Sequence, residues 1–332
     1  MFCKERNIIM KKGSIIAALS AVVLIITGFI ISFCALASAD FNFKEFSNVN
    51  YVTNTYEITE PFTDISVSTS DLDINLIPSK DSSCKIICKE TDKALHNVDV
   101  VNKTLTIEEN NSLEWFEYIR VGFYWENTQI DIYLPENEYN NLKLNCSSGE
   151  INVHDSFDFN NAEVYVSSGD INFSADVKNE LSASASSGNI TLGKLSADSV
   201  NASVSSGDIR CRNFNNISKI EASATSGDLT FENCEADYFR LETTSGETEL
   251  SRCTAGHEMH IESTSGDIEL DRCDSQTLEL ESTSGDISGT LLTEKLFEAG
   301  TNSGEIDVPD TVSGGKCEIN TTSGDIEFEV LN

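Results

Sequence analysis

Proline is scarce in this chain, four among 332 residues, and long uninterrupted strands require that scarcity. Basic residues are few as well, 22 against 55 acidic ones. That balance repels nucleic acid and anionic lipid or polymer surfaces and favours cationic partners or divalent counter-ions. Histidine occurs only at His96, His154, His257 and His260, so imidazole chemistry has little to work with. His257-Glu258-Met259-His260 lacks the i,i+4 histidine spacing of a zinc helix, and Met259 falls in a column of core positions described below. A Gly-x-Ser-x-Gly elbow, a phosphate loop and a dinucleotide fingerprint are all missing. Paired carboxylates suited to glycoside chemistry occur anywhere in so acidic a chain and discriminate nothing. No catalytic residue, metal ligand or cofactor is therefore assigned.

What the chain has is a repeat. A hydroxyl residue, Ser, Gly, an acid and usually Ile or Leu recur ten times, with glycines at Gly149, Gly169, Gly188, Gly207, Gly227, Gly246, Gly266, Gly285, Gly304 and Gly324, 19 or 20 residues apart. So short and regular a period means a solenoid. Apolar or small residues recur seven, five and three positions before each glycine and two and four after it, which is the period-2 alternation of strands. Only Thr248 and Gly289 break the two columns after the glycine. Each repeat reads as a strand, a tight turn at Ser-Gly, a second strand and a short return. The expected fold is all-β: a single-stranded β-solenoid, parallel β-helix-like, with 19–20-residue coils over residues 141–332. Nearest-neighbour stacking supplies its stability, and its ends need caps.

The N-terminus predicts export. Residues 1–12 carry Lys4, Arg6, Lys11 and Lys12 against Glu5, and Ile15–Leu36 is free of charge for 22 residues. That run is long enough to span a bilayer, so one transmembrane helix is expected over residues 13–37, the basic segment in the cytoplasm and the rest outside. Ala37-Ser38-Ala39 ahead of Asp40 offers the alternative of a cleaved signal and a secreted product. Residues 1–39 carry a net +3, so of the total −33 the remainder of the chain carries −36.

Residues 40–140 lack the Ser-Gly phrase but keep its grammar, and read as degenerate coils and an N-terminal cap. Ile65–Leu76 looks like one such coil, and short strands are expected at 84–88, 98–101, 105–107 and 130–134. The aromatics Trp115, Phe116, Tyr118, Phe123, Tyr124 and Trp125 are read as closing the end of the core, with a ligand platform as the alternative. Cys234, Cys253 and Cys273 each lie seven residues after a glycine, where other coils have Leu195, Phe214 and Leu292. They read as buried thiols, with a bridge between neighbouring coils as the alternative. After the last repeat only one strand remains, so the C-terminal coil is expected to present an open edge for end-to-end self-association.

The acid after each glycine is the candidate binding feature: Glu150, Asp170, Asp208, Asp228, Glu247, Asp267, Asp286, Glu305 and Asp325, with Asn189 the one neutral member. Local acceptance of backbone hydrogen bonds is its first expected role. A weak divalent-cation site, calcium in particular, is the alternative, although the Gly-Gly-x-Gly-x-Asp nonapeptide of calcium-binding solenoids is lacking.

Tandem Ser/Thr-Ser-Gly-Asp-Ile phrases behind an N-terminal membrane segment resemble the bacterial "putative adhesin" family of β-strand-repeat domains, LiaG-like proteins included. The resemblance covers roughly residues 45–330 and supplies no catalytic residues. It implies a non-enzymatic, surface-anchored solenoid for adhesion or protein contact, with an envelope-stress connection. A structural spacer or membrane-protein accessory is the alternative reading, and a cell-wall polysaccharide lyase or hydrolase a more distant one.

Overall fold

A computed structural model describes residues 12–38, 50–92, 94–110 and 128–331. The chain divides into two units, one holding an N-terminal helix and one, Tyr51–Ser112 with Asn127–Asn332, holding every strand described. Each is described by itself. In the first, Lys12–Ser38 forms a single 27-residue α-helix. Its side chains are described without interruption from Val23 to Cys34, all exposed. Among the described residues no helix is long and apolar enough to cross a membrane, so the structure does not establish the span expected over residues 13–37.

In the second unit the repeat becomes a β-solenoid. Every rung places one strand before its glycine and one after it, and the strands of successive rungs pair in parallel as two sheets. The Gly188 rung is representative. Its strands Asp176–Ser187 and Ile190–Leu192 pair with Ser199–Ser206 and Ile209–Arg212 of the next, setting Leu181 against Val200, Ala183 against Ala202 and Ile190 against Ile209. The alternation read from the sequence is thus an inward column of side chains. Leu181, Ala183, Ala185, Ile190 and Leu192 are all buried, and the buried apolar residues form one continuous core cluster. All four prolines stand at strand ends or between strands.

Glycine is required at the turn on two counts. At Gly188 φ is +137°, a region that L side chains avoid. A Cβ there would also lie 2.0 Å from the carbonyl oxygen of Gly169 in the rung beneath. The apparent core defect at Gly289 has the same kind of cause: a Cβ would stand 2.4 Å from the Leu270 carbonyl oxygen. The coil has a second corner that the sequence reading did not identify. Six residues after their glycines, Asn213, Asn233, Arg252 and Arg272 take φ between 52° and 58°, the left-handed conformation to which Asn is best suited. Phe214, Cys234, Cys253 and Cys273 then turn back into the core, whereas Leu292, assigned to the same column, is 44% exposed.

The rungs are not stacked in chain order at either end. The last strands, Gly315–Ser323 and Ile326–Val330, insert between the Gly285 rung and the Gly304 rung, pairing with both. The turn glycines confirm it, since Gly324 stacks on Gly285 and Gly304 stacks on Gly324. The C-terminal coil is therefore interior, which corrects the expectation that it offers the open edge for self-association. The outermost rung is Lys295–Thr301 with Ile306–Asp307. Its second strand is only two residues long and is followed closely by Pro309, a pattern that blunts an edge. At the other end Asp64–Thr69 and Asp73–Pro78 form the degenerate coil and stack directly beneath the Gly149 rung. Outside them lie Thr104–Glu109 and Gln129–Leu134. Antiparallel strands Tyr51–Ile58, Cys84–Thr91 and His96–Val101 extend the two edges. The aromatic cluster at residues 115–125 lies outside the described residues.

Cys84, Cys88, Cys146, Cys211, Cys234, Cys253, Cys273 and Cys317 are all free and buried. Cys253 Sγ lies 3.5 Å from the Phe231 carbonyl oxygen and 3.4 Å from that of Ser251, so the column is one of small apolar core residues. Burial pushes Cys84 and Cys146 up to about 11, and Cys88 and Cys317 up to about 12. A thiol raised in the folded state stabilises the fold fully below its unfolded value near 8.5 and loses that contribution as pH climbs towards the folded value. Unfolding free energy measured by urea titration is expected to fall above about pH 9, each such thiol adding up to ~1.4 kcal/mol per pH unit, and Cys317→Ala is expected to lessen the slope. Thr248 supplies a second test, because it is fully buried in the Ile/Leu column with its hydroxyl unpartnered among the described residues. Thr248→Val should raise stability by about 1 kcal/mol in the same measurement.

Candidate functional site

The acid column forms a ladder along the turn edge, and its main chemistry is internal. Asp170 Oδ1 accepts the backbone N–H of Asn189 at 2.7 Å, Asn189 Oδ1 that of Asp208 at 3.0 Å, Asp208 Oδ1 that of Asp228 at 3.0 Å, and Asp228 Oδ1 that of Glu247 at 2.9 Å. The series resumes from Asp267 to Asp286, from Asp286 to Asp325 and from Asp325 to Glu305, each at 2.8 Å. In the degenerate coil Asp73 does the same for Glu150 at 2.8 Å. The ladder breaks after Glu150 and after Glu247, the two interior rungs where the longer Glu replaces Asp. Among the described residues neither carboxylate reaches the N–H of the next rung.

The balance of energies favours this arrangement. Neighbouring carboxylates about 4.8 Å apart repel by roughly 0.9 kcal/mol at the dielectric of water, whereas a hydrogen bond to a charged acceptor contributes about 1.5–3 kcal/mol. Asn189 makes the same bond without a charge, so the bond and not the charge is what the turn uses. Each Asp then keeps a second oxygen. Among the described residues only Asp208 engages its own, at 2.7 Å from Arg210 Nη2. Glu150 is held separately, accepting from Asn172 Nδ2 at 2.6 Å. The nine acids are thus brought into one line, but along the sheet edge and not around a common centre.

The outward face of the sheet before the glycines carries a second array that the sequence reading passed over. Positions six and four before the glycine hold Ser182, Ser184, Asn201 and Ser203 in the early rungs. They become Arg240 and Glu242, His260 and Glu262, then Glu279 and Glu281, all in register. Arg240 is drawn to Glu242 at 2.8 Å. The signal was available, since these positions alternate with the core columns. On the other sheet Asn152 Nδ2 donates to Asn75 Oδ1 and Asn172 Nδ2 to Asn152 Oδ1, both at 3.0 Å, an amide ladder from rung to rung.

The sequence profile of the Toastrack DUF4097 family matches residues 62–216, 174–270 and 214–332. No curated protein matches. Similar solved structures include a "putative adhesin" of Bacteroides fragilis, with a TM-score of 0.42, 14% identity, and coverage of 84% of this chain and 97% of that one. A "putative lipid binding protein" of Parabacteroides distasonis gives 0.38, 14%, 86% and 98% in the same order. A "putative adhesin" of Parabacteroides distasonis gives 0.38, 12%, 85% and 98%.

The ladder predicts a difference between two substitutions at one position. Asp228→Ala removes the acceptor for the Glu247 N–H and should cost about 1–2 kcal/mol in a denaturant melt. Asp228→Asn keeps the acceptor and relieves repulsion, and should melt within about 0.5 kcal/mol of the parent.

Proposed function

Because the chain belongs to the Toastrack DUF4097 family and carries its solenoid over residues 62–332, we propose that it is a non-enzymatic binding scaffold held at the cell surface. It engages a cationic protein or cell-surface partner along its acidic turn edge. The observation that supports this reading is the second carboxylate oxygen of the ladder. The fold uses one oxygen of each interior Asp and, except at Asp208, where Arg210 engages it, leaves the other without a hydrogen-bond partner among the described residues. Such a row attracts extended positive charge by many weak contacts and speeds encounter with it. The charge-free run Ile15–Leu36, preceded by Lys4, Arg6, Lys11 and Lys12, serves in this reading as a membrane anchor with a cytoplasmic N-terminus. The solenoid then lies outside the membrane, beside envelope-stress machinery.

The Asn189 rung shows how to test the charge without disturbing the turn. Replacing Asp170, Asp208, Asp228, Asp267, Asp286 and Asp325 together by Asn should leave the melting temperature within a few degrees of the parent. Retention of the full chain on a polylysine surface, a stand-in for the cationic partner, should fall about tenfold or more at low salt, with a flatter salt dependence. Retention equal to that of the parent would overturn the proposal.

A further inference from the structure

Away from the turn edge, three side chains of metal-ligating type converge on the outer face of the sheet before the glycines. The strand Thr254–Ser265 carries Glu258 and His260 two residues apart and so on one face. The neighbouring strand Ile268–Ser284 places Glu279 as the in-register partner of His260. One donor atom from each of the three lies within 4.8 Å of the others, and all three side chains are half-buried. His260 Nδ1 is 3.4 Å from Glu279 Oε2. His257 takes no part. The pairing is irregular between Ala255 and Glu258, and the His257 ring packs against Tyr238 with centroids 5.2 Å apart.

We propose that Glu258, His260 and Glu279 bind a divalent transition metal of the zinc type. One imidazole and two carboxylates form a donor set suited to zinc, manganese or iron, and the imidazole disfavours calcium and magnesium, which take oxygen ligands. Bonds of about 2.0–2.1 Å around tetrahedral zinc put neighbouring donors about 3.3 Å apart. His260 Nδ1 and Glu279 Oε2 already stand near that separation, and the remaining donors, at most 4.8 Å apart, need to close by up to about 1.5 Å, within reach of side-chain rotation in half-buried chains. The backbone under them is fixed, because both strands are paired on either side. Two cations lie nearby, Arg240 in register with His260 and Lys316 on the strand beyond Glu279, and Glu242 and Glu318 draw them aside at 2.8 Å and 2.6 Å. Glu262, two residues beyond His260, adds further negative charge. Three protein ligands leave a coordination position open to water.

Calorimetric titration of the metal-free full chain with Zn2+ tests this. One site per chain should stand out above the diffuse binding of surface carboxylates. His260→Ala and Glu279→Gln should each weaken it about tenfold or more, with an unchanged circular dichroism spectrum, while His257→Ala leaves it intact. In the unmodified chain, Zn2+ should shift the imidazole NMR signals of His260 and leave those of the other three histidines in place. An excess of Ca2+ of about a hundredfold should not displace the zinc. Equal Zn2+ affinity in the parent and His260→Ala, equal weakening by His257→Ala, or displacement by equimolar Ca2+ would each overturn the assignment.

Discussion

A parallel stack obliges each rung to place its backbone directly over the one beneath, and the whole structure follows from that in-register contact. Where the chain turns at Gly188, the carbonyl oxygen of Gly169 occupies the space that a side chain would need. The glycine column is the record of that contact. The inward columns follow from it, because once the turns superimpose, Ile190 must lie over Ile209 and Leu181 over Val200. The period of 19 or 20 residues is thus the length of backbone that returns the chain to the same place one strand spacing away.

The same contact explains why acids line the edge. A backbone N–H at the position after each glycine lies beside the side chain of the previous rung, and an Asp or Asn there has the right length to accept from it. Charge enters as a consequence of using Asp for that bond, and it accumulates because the bond is repeated. Glu150 and Glu247 mark the limit of the rule: they keep the charge and lose the bond. A surface that looks dedicated to binding is therefore first a product of folding, and any partner exploits the oxygen that folding leaves over.

The columns were legible in the sequence because in-register stacking forces every rung to repeat the same pattern. Ile65–Leu76 was legible as a coil even without its glycine, since its alternation runs to Thr69 and resumes at Leu72 as in the later coils, and the register then sets Leu72 and Asp73 in the places of Gly149 and Glu150. Rung order was not legible. Strands with identical inward columns pair equally well with any neighbour, so nothing in Ile319 or Ile326 says that the final coil sits between the Gly285 and Gly304 rungs. The corner at Asn213 and Asn233 left a weak signal, but Arg252 and Arg272 in the same column obscured it. The candidate metal cluster escaped for another reason. His257 and His260 catch the eye as a pair, yet an irregularity in the strand separates them, and the third ligand comes from the next rung, 19 residues on.

The displaced order of the last rungs changes how this end comes undone. In a stack built in chain order, the outermost rung is a free tail, and each rung that peels away gains the full conformational freedom of a dangling chain. Here the exposed rung is a middle segment whose two ends both run into interior strands, so loosening it releases only a closed loop. A tethered loop gains less entropy than a tail of the same length. The strands that follow the exposed rung in sequence, Gly315–Ser323 and Ile326–Val330, are clasped between two rungs and cannot leave until the loop outside them has opened. Melting from this end is thus made sequential by topology, a latch whose pin is the pair of strands clasped behind the loop.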